Sequence, residues 1–200
     1  MHHTKLKYVF IIAVRNFICG FALLALLPMF MLVAILIYFE DGRPIIFRQQ
    51  RIGVSKKNFT IYKFRTMKNN APELGTHEIK KNFKLKCGLI IRRLKLDEFP
   101  QLLNVLKNDL NIVGPRPGLV SQIALAEARQ KKDIFSIKPG ITGLSQILGY
   151  DMSDPVKLSD VDDIYKKNMS LFLDIKIIAG TFWGFPRKLL ASQFKIKNLR

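Results

Sequence analysis

Apolar positions are spread unevenly along the chain. From Phe17 to Phe39 the sequence FICGFALLALLPMFMLVAILIYF carries no charge. As one helix it would be about 35 Å long, enough for a hydrocarbon layer of about 30 Å. It is too long for the apolar core of a signal peptide, and no small-residue cleavage site closes it. Pro28 stands in the middle, where it removes a backbone hydrogen bond and bends the helix. Basic residues lie on both sides: Lys5, Lys7 and Arg15 before, and Arg43, Arg48, Arg51, Lys56 and Lys57 after. A spanning helix is expected to show a bias in these flanks. The pattern therefore admits a full span, or a re-entrant helix that bends at Pro28 and returns to the same face.

Beyond this run the periodicities become short. RPIIFRQQRIG and NFTIYKFRTM are β-rich stretches separated by Gly53 and Ser55, and they predict a hairpin. Residues 68–82 are polar, contain Pro72 and Gly75, and predict a surface loop. LIIRRLKL then leads to Asp97 and Glu98. Pro100 is tolerated only in the first turn of a helix, and Phe99, Leu102, Leu103 and Leu106 follow at helical spacing. A helix is expected from Asp97 or Glu98 to about Asn108. LVSQIALAEARQKKDIF and LSDVDDIYKKN also have helical character, and KPGITG between them is a turn cluster. From Ser170 onward, Leu171, Phe172, Ile175, Phe182 and Trp183 alternate with Lys176, Arg187, Lys188, Lys195, Lys197 and Arg200. That mixture suits a membrane surface as readily as a core.

Charge narrows the partners. The 200 residues include 33 Lys and Arg against 15 Asp and Glu, a net charge of +18. The balance favours nucleic acid, anionic lipid or a phosphorylated substrate. IYKFRTM is the one basic-aromatic cluster and matches no nucleic-acid motif, so no nucleic-acid partner is expected. Cys19 and Cys87 make no disulfide framework or zinc spacing, and His2, His3 and His77 make no ligand set.

The adjacent acids Asp97 and Glu98 are the exception in this basic chain. In one reading Asp97 is an N-cap and Glu98 a solvated first-turn acid. In the other they do chemistry. Arg92, Arg93 and Lys95 precede them, and Arg116 is stiffened between Pro115 and Pro117. A guanidinium matches phosphate oxygens as a fork. Carboxylates ringed by such groups can hold a divalent cation and attack phosphorus. A non-catalytic binder of anionic lipid accounts for the charge and the apolar segment. It leaves the acidic pair and the Gly-Pro-Arg-Pro segment without a purpose.

The motifs, in order, resemble those of the small monotopic bacterial phosphoglycosyl transferases. They are the apolar run with its central proline, IIFRQQRIG, IYKFRTM, RRLKLDEFPQLLNVLKNDLNIVGPRP, KPGITGLSQ and IYKKNMSLFLDIKI, together covering nearly all of residues 5–183. The resemblance implies transfer of a phosphosugar from a UDP-sugar to polyprenol (undecaprenyl) phosphate, with release of UMP through a covalent aspartyl-phosphosugar intermediate. It implies that Asp97 is the nucleophile and that Glu98 is its partner acid, both associated with magnesium (Mg2+). It implies that Lys63, Arg92, Arg116 and Asp162 contact substrate or phosphate, and that the enzyme works at the cytoplasmic face of the bacterial inner membrane. Leu27 departs from the serine that usually precedes the membrane proline, Arg15 replaces a frequent acid, and Gly149-Tyr150-Asp151 replaces a frequent Gly-Arg-Asn. The fold so implied is α+β and mostly helical. A re-entrant membrane helix (1–40) bent at Pro28 precedes a compact catalytic domain (41–200) with a short β-hairpin and amphipathic interfacial helices.

Overall fold

The structure, a computed structural model, describes residues 2–71 and 83–194. The expected loop at 68–82 begins with a turn at Asn69–Asn70, and its part from 72 to 82 lies outside the described residues, as do Lys195, Lys197 and Arg200. The chain is α+β and mostly helical, and it divides into two compact units. The first comprises the chain up to Gln49 together with Ile61–Lys107; the second comprises Gln50–Thr60 and the chain from Asn108 onward.

In the first unit, α1 (His2–Ala25) and α2 (Leu27–Asp41) meet at Leu26. The break falls just before Pro28 because proline is accommodated in the first turn of the second helix, where its missing N–H costs nothing. On either side of the break the ladder persists: Leu26 N–H donates to Ala22 O and Phe30 N–H to Leu26 O, both at 2.9 Å. Among the described residues no single helix is long and apolar enough to cross a membrane; Ile11–Ala25 and α2 meet that test only as a pair, bent by 55°. Much of this pair faces outward, including Phe17, Phe21, Leu24, Met31 and Phe39.

One stripe of α2 faces inward. Val33 and Ile37 pack with Phe64, Leu85 and Ile91, and Phe30 meets the Phe64 ring edge-on at 5.4 Å. Each fully buried aliphatic side chain here contributes about 1.5–3 kcal/mol. Phe64 closes β2 (Asn58–Phe64), which pairs with β1 (Ile46–Ile52) in the expected hairpin. Leu85 and Ile91 belong to the segment of α3 (Lys86–Arg93), which carries LIIRRLKL toward the acidic pair.

The expected helix from Asp97 to Asn108 is split. Leu96–Gln101 is a 3-10 turn holding Pro100, and only α4 (Leu102–Leu106) is α-helical. Asn108, at φ 67°, ends the run.

The second unit contains a feature the sequence pattern did not announce. β3 (Asn111–Val113) and β4 (Gly140–Thr142) pair in parallel, Asn111 opposite Gly140 and Val113 opposite Thr142. β4 lies inside the expected turn cluster KPGITG. Its glycine serves close approach of backbones: a Cβ at Gly140 would overlap the Gly114 nitrogen. The helix expected from Leu119 to Phe135 is α5 (Ile123–Lys131) followed by a 3-10 turn at Ile134–Ser136, separated by Asp133 at φ 52°. α6 (Leu144–Ile147), α7 (Pro155–Lys167), α8 (Leu171–Phe182) and α9 (Gly184–Gln193) complete the unit around Leu144, Leu148, Tyr165, Ile177 and Leu190. Ser170 caps α8 by accepting from Leu173 N–H at 3.2 Å. Phe172, Ile175, Phe182 and Trp183 remain on the outside.

Candidate active site

The first unit carries four of the expected site residues. The acidic pair is not a cap. The residue before the turn is Lys95, in the left-handed region at φ 57°, and no side chain caps the turn. Asp97 and Glu98 lie inside its first turn, which corrects the N-cap reading. A bulky residue at positive φ is uncommon and marks a chain held there by its surroundings. Both acids are half-buried, near the positive end of the 3-10/α4 run.

Lys63, on β2, donates from Nζ to Glu98 Oε1 at 3.0 Å, with side chains 14% and 21% exposed. The pairing holds Glu98 as a carboxylate acceptor beside a fixed cation. β2 is itself tied to α4, because buried Asn104 accepts from Tyr62 N–H at 3.2 Å. Arg92, in the last turn of α3, donates from Nε to Thr66 Oγ1 at 2.6 Å. The hairpin, α3 and the 3-10 turn thus assemble Lys63, Arg92, Asp97 and Glu98 on one unit.

Among the described residues no group of three or more His, Cys, Asp or Glu gathers to hold a metal. Two adjacent carboxylates still suit Mg2+, which takes one or two carboxylates and completes its octahedron with water and substrate phosphate. Asp97 and Glu98 are the residues that would hold it.

The second unit carries Arg116 and Asp162. Four successive carbonyls of the Pro115–Gly118 loop are each anchored. Pro115 O accepts from Gly140 N–H at 3.0 Å, Arg116 O from Arg129 Nη1 at 2.8 Å, Pro117 O from Arg51 Nη1 at 3.1 Å and Gly118 O from Ile52 N–H at 3.1 Å. Pro115 and Pro117 are buried and Arg116 is half-buried between them. With φ fixed at the two prolines and every carbonyl held, little backbone freedom remains around Arg116.

Asp162, on α7, is 1% exposed. Its Oδ2 accepts from Arg129 Nε at 3.0 Å and Nη2 at 2.6 Å, and its Oδ1 accepts from Ser145 Oγ at 2.9 Å. Burial pushes the Asp162 carboxyl above its ordinary range, while the Arg129 guanidinium and the Ser145 hydroxyl pull it back. Arg129 thus links the Asp162 carboxylate to the Arg116 carbonyl. Arg129, Arg51 and Ser145 were not singled out by the motifs. Arg129 is one of many cations in ALAEARQKK, and its acid lies 33 residues away.

Within the first unit, an acidic pair with Lys63 held on Glu98 at 3.0 Å is an arrangement suited to phosphate chemistry. The chain belongs to the bacterial sugar transferase family, whose model matches residues 7–188, and it is a phosphoglycosyl transferase. It is 43% identical over 152 residues to the uncharacterized sugar transferase EpsL of Bacillus subtilis, covering 76% of this chain and 73% of that one. It is 35% identical over 164 residues to UDP-N-acetylgalactosamine-undecaprenyl-phosphate N-acetylgalactosaminephosphotransferase of Aeromonas hydrophila, covering 77% of this chain but 38% of that protein. To undecaprenyl-phosphate galactose phosphotransferase of Salmonella typhimurium it is 38% identical over 159 residues, 71% of this chain and 33% of the relative. The chain thus matches most of EpsL but only 38% and 33% of the length of the two relatives with named substrates.

Proposed function

We propose that the protein moves a sugar-1-phosphate from a UDP-sugar to undecaprenyl phosphate at the cytoplasmic face of the bacterial inner membrane, releasing UMP. The observation that carries this reading is the Lys63–Glu98 pair at 3.0 Å beside Asp97. A carboxylate is a weak nucleophile attacking an anion, so cations must offset the repulsion. Asp97 attacks the β-phosphorus of the UDP-sugar; the bond to the bridging oxygen breaks, and UMP leaves with its electron pair. A phosphate oxygen of undecaprenyl phosphate then attacks the aspartyl-phosphosugar and returns the Asp97 carboxylate. Mg2+, when bound, supplies further neutralisation of phosphate charge. Lys63 orients Glu98, and Arg92 and Arg116 take phosphate oxygens through their forks. Asp162 keeps Arg116 in place through Arg129.

The two relatives with named substrates carry N-acetylgalactosamine and galactose in their names, and we place the donor in that class of UDP-hexoses. The acceptor is a lipid phosphate, so the site must lie at the membrane surface. Residues 1–40 form the inserted segment: the 55° bend and basic residues on both flanks suit a helix that returns to the face it entered. Residues 41–200 form the catalytic part, with the outer faces of α8 and α9 at the interface. Phe172, Phe182 and Trp183 suit its depth, and Lys176, whose Nζ lies 4.4 Å from the Phe172 ring centroid, and Lys188 suit anionic headgroups. The test is UMP release from a panel of UDP-N-acetylgalactosamine, UDP-galactose, UDP-N-acetylglucosamine and UDP-glucose, with undecaprenyl phosphate in detergent. Release that requires Mg2+, stops with chelator and leaves a phosphosugar on Asp97 when acceptor is withheld supports the reading. Membrane binding without any UMP release refutes it.

A further inference from the structure

The last turn of α2 ends in Glu40 and Asp41, two acids at the negative end of their own helix with no basic residue in that turn. Like charges there oppose the helix dipole. Their partners lie elsewhere. Glu40 Oε1 accepts from Lys86 N–H and Oε2 from Cys87 N–H at 2.8 Å, so the side chain of one helix caps the first turn of α3. Asp41 takes the guanidinium of Arg65, which is 5% exposed and also donates from Nη2 to the Asp41 and Gly42 carbonyls at 3.0 and 2.7 Å. Asp41 Oδ2 further accepts from Asn69 N–H at 2.9 Å.

Both contacts lead to one side chain. Arg65 is followed by Thr66, whose Oγ1 receives Arg92 Nε at 2.6 Å and whose carbonyl receives Leu85 N–H at 3.1 Å. Gly88 on α3 passes so close that a Cβ there would lie 2.5 Å from the Thr66 carbonyl oxygen. Nearly two turns beyond the N-terminus that Glu40 caps, the same helix carries Arg92 in its last turn. Arg92 is therefore fixed twice: through its own helix, anchored by Glu40, and through Thr66, anchored by Asp41 and Arg65.

We propose that Glu40 and Asp41 are positioning residues for Arg92, so that the end of the apolar helix pair sets the guanidinium that meets the substrate phosphate. This rests on the phosphoglycosyl transfer reading and on Arg92 as a phosphate ligand. The acids explain why α2 closes with two charges against its own dipole, and they make the geometry of the site depend on the seating of α2.

Cys87 provides a readout independent of turnover. Burial, together with the hydrogen bond and charge of Glu40, pushes its thiol up to about 12. In a Cys19→Ala background, Glu40→Gln should speed alkylation of Cys87 at pH 8.5, reporting that the contact has changed. The kinetic test uses the full chain in detergent, with whichever of UDP-N-acetylgalactosamine, UDP-galactose or UDP-N-acetylglucosamine turns over fastest. Glu40→Gln and Asp41→Asn should each raise KM for that donor by about fivefold or more with a smaller change in kcat, and the rise should largely vanish in an Arg92→Lys background. Thr66→Val, which keeps shape and removes the direct bond to Arg92, should reproduce the rise if either acidic variant fails to fold. Equal losses with and without Arg92→Lys, or an unchanged KM when Cys87 alkylation is faster, overturn the inference. Wild-type protein that releases no UMP from any donor overturns the transfer reading and this inference with it.

Discussion

Arg129 and Asp162 form a buried, forked ion pair, with Nε and Nη2 of the arginine 3.0 and 2.6 Å from one carboxylate oxygen. The third guanidinium nitrogen, Nη1, is spent on the Arg116 carbonyl at 2.8 Å. One interior charge pair therefore fixes the backbone of the Pro-Arg-Pro loop. Removing one member leaves an uncompensated charge inside, which costs about 3–5 kcal/mol. Asp162→Ala should lower the unfolding temperature in detergent sharply, and adding Arg129→Met should restore much of the loss while donor turnover stays impaired. A melting temperature unchanged by Asp162→Ala would show that the pair contributes nothing.

Arg116→Lys separates charge from shape. The four anchored carbonyls keep the loop in place whatever the side chain, so stability should hold. The planar fork is lost, however, and kcat/KM for the UDP-sugar should fall about tenfold or more, equivalent to roughly 1.4 kcal/mol. Steady-state UMP release decides it, and an unchanged rate places Arg116 outside the reaction.

Asp97→Asn and Glu98→Gln address the acidic pair. An amide cannot attack phosphorus, so Asp97→Asn should reduce UMP release to background and give no phosphosugar adduct by intact mass. Because Asn keeps the size and shape of Asp and Asp97 is not the N-cap residue, the fold should survive. Glu98→Gln leaves Lys63 facing a neutral amide, and activity should fall severely with a smaller change in stability, since the pair is only partly buried. Turnover near wild-type in Asp97→Asn would remove the nucleophile assignment.

Local signals carried much of this architecture. The bend at Pro28, the hairpin around Gly53, and α7 over LSDVDDIYKK follow from residue preferences within a few positions. What the pattern missed depends on partners distant in sequence. KPGITG reads as a turn because Pro139, Gly140 and Gly143 are turn residues, yet Gly140 is there to touch the Gly114 backbone. Asp97 resembles a cap until Lys95 takes the left-handed conformation and starts the turn early. The motif pointed to Arg116, but its supports, Arg129 and Arg51, are ordinary surface-type cations in sequence and become distinctive only through what they hold.

The topology can be read chemically. Pro28 leaves a carbonyl of the preceding turn without its helical donor, and in lipid such a group needs a partner or a bend. Leu27 offers no hydroxyl to that carbonyl, so a re-entrant arrangement is expected to depend on Pro28 and on the basic flanks. With Cys19 and Cys87 replaced, cysteines introduced at Thr4 and Ser55 should both react with a membrane-impermeant maleimide in inverted membrane vesicles and be protected in intact cells. Pro28→Ala restores the N–H, straightens the pair and lengthens the continuous apolar helix to a spanning length, so a fraction of the protein should expose Thr4→Cys on the outer side. Labelling from opposite sides with Pro28 present would overturn the re-entrant arrangement. If both labels stay cytoplasmic in Pro28→Ala, the positive charges at Lys5, Lys7 and Arg15 hold the N-terminus back, and replacing them with glutamine in that variant should then release it.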